Sequence, residues 1–279
     1  VPTSEVYPKS PLVLVAVEVR HPDAGPLTDV QQRQLKSLLA PGLPLSRPFL
    51  GAPGLVASIG PGSDPQLASI QSPAIPRFMS RDIFTSVTFH RDAVVVETTS
   101  YQGHPPLFDL VRQVLRARLE VGPLDGVERV GLRYIDEVRT PGEGAPGAWG
   151  LWIDPSLLGP GLLAGRGGLS NDAWQGLATY SGDLAGRAPF DRMSLVLRYG
   201  VGDGYAVAPS GDLRRTTPPP GPFFLIDIDS YWSARDVVPV LDLDELEANL
   251  KGLHTPARTL FENAITDRLR NEVLRKHDA

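Results

Sequence analysis

Two stretches of this chain run through the same succession of elements, and that recurrence restricts the fold more than any single motif does. Leu12 to Val19 (Leu-Val-Leu-Val-Ala-Val-Glu-Val) is a continuous apolar run that predicts a mostly buried strand. Thr28 with Gln31 three residues on forms a capping box for the helix that follows, and Gly42 closes that helix. Phe84 to His90 and Ala93 to Thr99 flank Arg91-Asp92 as a hairpin. Leu107, Leu110, Val111, Val114, Leu115 and Leu119 share one stripe at the 3.6-residue period, which predicts a helix over Pro105 to Glu120. The order then starts again. Val130 to Val138 reads as a strand, Met193 to Tyr199 and Tyr205 to Ala208 flank a turn at Gly200 to Gly204, and Phe223 to Ile228 is the next strand. Asp242 with Glu245 caps a helix, Thr255-Pro256 reads as a second cap, and the final helix buries Leu260, Phe261, Ile265 and Leu269.

Each half therefore reads as strand, crossover, meander and long helix. This predicts an α+β fold, internally duplicated, with one curved antiparallel sheet and the long helices on one face. A TATA-binding-protein-like saddle is the nearest architecture by analogy. The halves are residues 1–125 and 126–279, fused into one domain. The second half carries an insertion at 141–190 that holds 12 Gly and 5 Pro, together with Trp149, Trp152 and Trp174. A plain linker has no use for large aromatics, so the insertion is expected to be ordered, with the three indoles mostly buried and their N–H groups paired. It is also a candidate partner surface.

Composition removes whole classes of function. A net charge of −5 and a pI of about 5.6 argue against a general nucleic-acid or anionic-membrane binder. With no cysteine there is no thiol nucleophile, disulfide scaffold or thiolate metal site. No apolar run approaches the roughly 20 residues that span a bilayer, and Val1-Pro2-Thr3-Ser4-Glu5 does not read as a signal peptide. A soluble, cytoplasmic protein is expected.

Familiar catalytic motifs are missing. Gly200 to Gly204 stands between strands and not before a helix, so it is a turn and not a dinucleotide fingerprint. Arg166-Gly167-Gly168 lacks the lysine of a phosphate loop. His21, His90, His104, His254 and His277 show no metal-ligand spacing. What remains is charge on strands. Alternation puts Leu132, Tyr134, Asp136 and Val138 on one face, and Arg133, Ile135, Glu137 and Arg139 on the other. Asp227 and Asp229 likewise share a face. If the two strands are neighbours, Arg133, Glu137, Asp227 and Asp229 form one cluster on the sheet face away from the helices. Such a row is either a structural set of cross-strand ion pairs or the polar floor of a ligand site, and three carboxylates are also the minimum for holding Mg²⁺ or Ca²⁺.

These same residues carry a resemblance. Arg81-Asp82, Val130-Gly131-Leu132-Arg133-Tyr134-Ile135-Asp136-Glu137, Asp154-Pro155-Ser156-Leu157-Leu158-Gly159-Pro160, Ile226-Asp227-Ile228-Asp229-Ser230 and Phe261-Glu262-x-x-Ile265-Thr266-Asp267 resemble an uncharacterised, sporadically distributed bacterial family of about 250 residues. The resemblance spans nearly the whole chain and implies no activity. The reading reached from sequence is a non-enzymatic binding or assembly protein. It engages a small ligand or protein partner through the sheet face or the Trp-bearing insertion, needs no cofactor, and can form homo-oligomers. The alternatives are a carboxylate-based hydrolase or lyase, with or without a divalent metal, and a structural subunit of a larger complex.

Overall fold

Leu12–Arg20 forms strand β1, and it lies at the centre of the sheet because alternate residues Val15, Val17 and Val19 are fully buried. The computed structural model describes residues 6–49, 54–58, 66–70, 74–140, 148–159, 173–184, 190–207, 213–216 and 218–276. After β1 come α1 (Asp29–Leu39), β2 (Leu45–Ser46), β3 (Gly54–Ser58), β4 (Gln66–Ile70), β5 (Arg77–Met79), β6 (Thr85–Phe89), β7 (Ala93–Thr98) and α2 (His104–Val121). The second half supplies β8 (Arg129–Val138), β9 (Trp174–Asp183), β10 (Arg192–Gly202), β11 (Phe223–Ser233), α3 (Leu243–Ala264) and the single turn α4 (Asp267–Leu269).

Nine strands make one antiparallel sheet in the order β2-β5-β6-β7-β1-β8-β11-β10-β9, and β3-β4 is a separate hairpin. In each half the chain leaves a central strand, travels to the far edge, and meanders back to its starting strand before a long helix. The two central strands β1 and β8 pair with each other, so the halves share one sheet.

One face of that sheet is covered by helices. Tyr134, Leu132 and Val130 of β8 stand opposite Val15, Val17 and Val19 of β1 on one side and Ile228, Ser230 and Trp232 of β11 on the other. α3 packs across β8 and β11, and α2 touches both α1 and α3. The Ser230 hydroxyl donates to the Leu253 carbonyl of α3 at 3.0 Å, which fixes the helix against the strand. Burying side chains of this size contributes about 1.5–3 kcal/mol each, which outweighs weak local preferences. Among the described residues no helix is long and apolar enough to cross a membrane.

Several expectations are corrected. Thr255-Pro256 does not start a new helix, and α3 runs unbroken through Pro256. Proline removes one backbone bond and crowds the carbonyl four residues back. Here the buried stripe Leu246, Leu250, Leu253 and Ala257 continues across the proline, and Thr255 Oγ1 donates to the Lys251 carbonyl. Gly200 belongs to β10, paired with Gln175 of β9 and Leu225 of β11, and is no turn residue; a Cβ there would lie 2.0 Å from the Trp174 carbonyl oxygen, so only glycine fits. Residues 205–207 form no strand, and β10 is flanked instead by β9, drawn from inside the glycine-rich insertion. The capping box at Thr28 and Gln31 is present as expected.

Within the insertion, residues 148–159 dock on the end of α3. Asp154 N–H donates to the Ala264 carbonyl and Thr266 N–H to the Trp152 carbonyl, both at 2.9 Å. Trp149 and Trp152 are buried and Trp174 is half-buried. The expected pairing of every indole N–H fails at Trp149, whose Nε1 is buried without a partner among the described residues. The remainder of the glycine-rich stretch, 141–147, 160–172 and 185–189, lies outside the described residues.

Candidate functional site

The four charged residues singled out from sequence lie on one sheet face, away from α3, but they divide into three groups. Arg133 stands opposite Asp229 in register, yet its guanidinium grips Asp227 in a two-point contact, Nε–Oδ1 2.8 Å and Nη2–Oδ2 2.7 Å. Asp229 is taken by Arg129 at 3.0 and 3.1 Å, and Arg129 also pairs with Glu18. Glu137 accepts from Arg139 at 2.9 Å, Arg215 at 3.4 Å and the Ala206 N–H at 2.7 Å.

The last group holds Ala206, just past the end of β10. Arg214 N–H donates to the Ile83 carbonyl at 2.9 Å and its carbonyl accepts from the Thr99 hydroxyl, at the β5–β6 turn and the end of β7. Residues 208–212 lie outside the described residues. Ile83 itself has φ +57°, a strained setting for a β-branched residue. Glu18, Glu137, Asp227 and Asp229 on this face are matched by arginines, and among the described residues no three His, Asp or Glu side chains converge on a cation site. The proposed partner surface also changes character. Trp149 and Trp152 point inward, with Trp149 packed on Phe224 at 5.6 Å between ring centroids, so these rings serve the core and offer little area to a partner.

The helix-covered face holds a second cluster. A cavity of about 320 Å³ opens where the two halves meet, between the N-terminal segment at Val6 to Ser10, the turn leading into α2, strands β8 and β11, and the middle of α3. Its walls include Tyr101, Pro105, Ile228, Ala257 and Phe261, and its polar groups include Tyr134, Asp136, His104, His254, Arg258, Glu262 and Tyr7. The Tyr134 hydroxyl lies 2.7 Å from His254 Nδ1. The His104 and His254 rings stack with centroids 4.6 Å apart, and Tyr101 meets Tyr134 edge-on at 5.9 Å. At the mouth, Glu262 gathers the Tyr7 hydroxyl at 2.8 Å, Arg270 at 3.1 Å and Arg258 at 3.5 Å.

Asp136 differs from all of these. It is only 5% exposed, lines the cavity, and has no hydrogen-bond or ion-pair partner among the described residues. Burial, reinforced by the charge of Asp227 behind the sheet, pushes its carboxyl well above the usual carboxylate range. Burial likewise raises Tyr134, with Tyr101 and Asp136 adding to the effect. His254 is lowered to about 4 by burial first and then by His104 and Arg258, and His104 is also lowered, chiefly by burial. The cavity thus holds a neutral imidazole pair, a tyrosine and a carboxyl in an apolar shell. That set can bind and orient a small molecule or move a proton.

The histidine pair has a consequence for acid stability. A histidine whose folded pKa is about 4 binds fewer protons folded than unfolded, where it titrates near 6.5. The stabilisation is therefore fully present above about pH 7 and is lost as pH falls from 6.5 towards 4. The expected loss is about 3 kcal/mol, read as a falling urea midpoint. His254→Phe should flatten that slope; an unchanged slope would show that His254 is not held neutral.

Sequence reading missed Asp136, Tyr134, Tyr101, His104 and His254 as a group. One signal was present: alternation sets Asp136 on the same face as Leu132 and Val138, and an aspartate on a buried face is uncommon enough to mark. No protein-family model and no curated protein matches this chain.

Proposed function

We propose that this chain is a non-enzymatic binding protein that takes a small ligand into the cavity between α2, α3 and the sheet. The observation that carries the reading is Asp136, a buried carboxyl lining the cavity with no partner among the described residues. A carboxyl that is 5% exposed, borders a cavity and is unpaired among the described residues is placed to be met by a ligand group. The cavity also has the size and setting of small-molecule sites, at a junction of two structural halves. The outer sheet face supports ligand binding less well, since its carboxylates already hold arginines.

Ala257 offers a direct test, because it lines the cavity from α3. Ala257→Phe should fill the space and abolish binding of small aromatic fragments seen by saturation-transfer NMR, with the protein still folded. Fragments that bind the variant as well as the wild type would place the site elsewhere.

A second reading, an acid–base enzyme using the same cavity, is favoured by the Tyr134–His254 hydrogen bond beside Asp136. Recovery of unaltered ligand after prolonged incubation separates the two. We also read the halves as copies of one ancestral unit in a saddle-like sheet. The order β5-β6-β7-β1 set against β9-β10-β11-β8 supports that descent.

A further inference from the structure

The cavity contains one charge site whose match is missing among the described residues. The other ionic groups of its wall are paired: Glu262 with Arg258, Arg270 and the Tyr7 hydroxyl. Asp136 has no such partner among the described residues; with it the cavity is lined by Leu12 of β1, Tyr134 of β8, Ile228 of β11, Tyr101 and His104, and on α3 by His254, Phe261 and the mutually paired Arg258 and Glu262. Behind the sheet stands Asp227, whose charge makes the Asp136 position more negative.

Given the pocket reading above, on which this inference rests, we infer that the ligand carries a primary amine, bound as an ammonium against the Asp136 carboxylate with its apolar body among Tyr101, Tyr134 and Phe261. An unpartnered carboxylate is matched by a cationic donor, and an ammonium is the more compact of the two cations a cavity of about 320 Å³ could admit beside an apolar body. Tyrosine faces add attraction for a cation in a desolvated site. The imidazoles cannot act as the counter-ion, because burial keeps them uncharged. The proton balance is simple. The empty pocket favours the protonated carboxyl; entry of an ammonium ion expels that proton to solvent, leaving carboxylate against ammonium with no other bond changed.

Calorimetric titration of the full chain with 2-phenylethylamine and n-hexylamine, each against its alcohol analogue, tests the inference. The amines should bind roughly 10- to 100-fold more tightly than the alcohols, the difference expected for a charge-assisted hydrogen bond. Their binding heat should vary with the ionisation enthalpy of the buffer, reporting the released proton. Asp136→Asn should erase the amine advantage over the alcohols and the buffer dependence of the binding heat. Amines no tighter than alcohols, with both lost in Ala257→Phe, would overturn the amine inference and leave the pocket standing. No binding by any of the four compounds would overturn both.

Discussion

Asp136→Asn is expected to make the empty protein more stable, by about 1–3 kcal/mol at pH 7. The cause is the buried carboxyl, whose pKa is raised in the folded state above its unfolded 3.8. A raised carboxyl contributes favourably below pH 3.8, and that contribution is lost as pH climbs from there towards the folded pKa. The gain from asparagine should therefore be near zero at pH 3.5 and grow to a plateau as pH rises. Urea unfolding at several pH values, with an unchanged slope on denaturant, measures it directly. A variant that is less stable than wild type at pH 7 would mean that Asp136 is satisfied in the fold and has no ligand to wait for.

Glu137→Ala should act in the opposite sense and more strongly, costing about 3–5 kcal/mol. Glu137 is 4% exposed and is the shared acceptor of Arg139, Arg215 and the Ala206 N–H. Removing it leaves two guanidinium groups without their carboxylate, and Arg215 already has its Nε and Nη1 buried without hydrogen-bond partners among the described residues. Glu137→Gln keeps an acceptor and should lose less. Differential scanning calorimetry gives the ranking, and limited proteolysis should show earlier cutting near residues 203–216 in Glu137→Ala. Equal melting temperatures for wild type and Glu137→Ala would show that Glu137 does not hold Arg139, Arg215 and Ala206 together.

The opposite signs of these two substitutions separate what local pattern can and cannot reveal. Strand alternation correctly assigned Arg133, Glu137, Asp227 and Asp229 to one face, because a period of two is a property of the backbone itself. It could not tell a matched row from an unmatched one, since that depends on which side chains reach across the ladder. Arg133 passes over its register partner Asp229 to reach Asp227, and Arg129 takes Asp229 instead. The cavity was less legible still. Its polar groups come from positions as far apart as Tyr7, Tyr101, Asp136 and His254, and only the packing of α2 and α3 on β8 and β11 assembles them.

The helical misreading at Thr255-Pro256 has a similar origin. A local stop signal was overridden by a buried stripe that continues past it, as tertiary packing commonly overrides weak propensities. Strand β9 was hidden for the converse reason. Gly176 and Gly182 break the β-pattern of Trp174–Asp183, while pairing with β10 supplies the order that the residues lack alone.

The most direct measurement is a crystal structure of the protein soaked with small aromatic amines. Bound density is expected in the cavity between α2 and α3, with the amine nitrogen within about 3 Å of an Asp136 carboxylate oxygen. Density on the outer sheet face beside Arg133 and Arg198, with the cavity holding only water, would contradict the account.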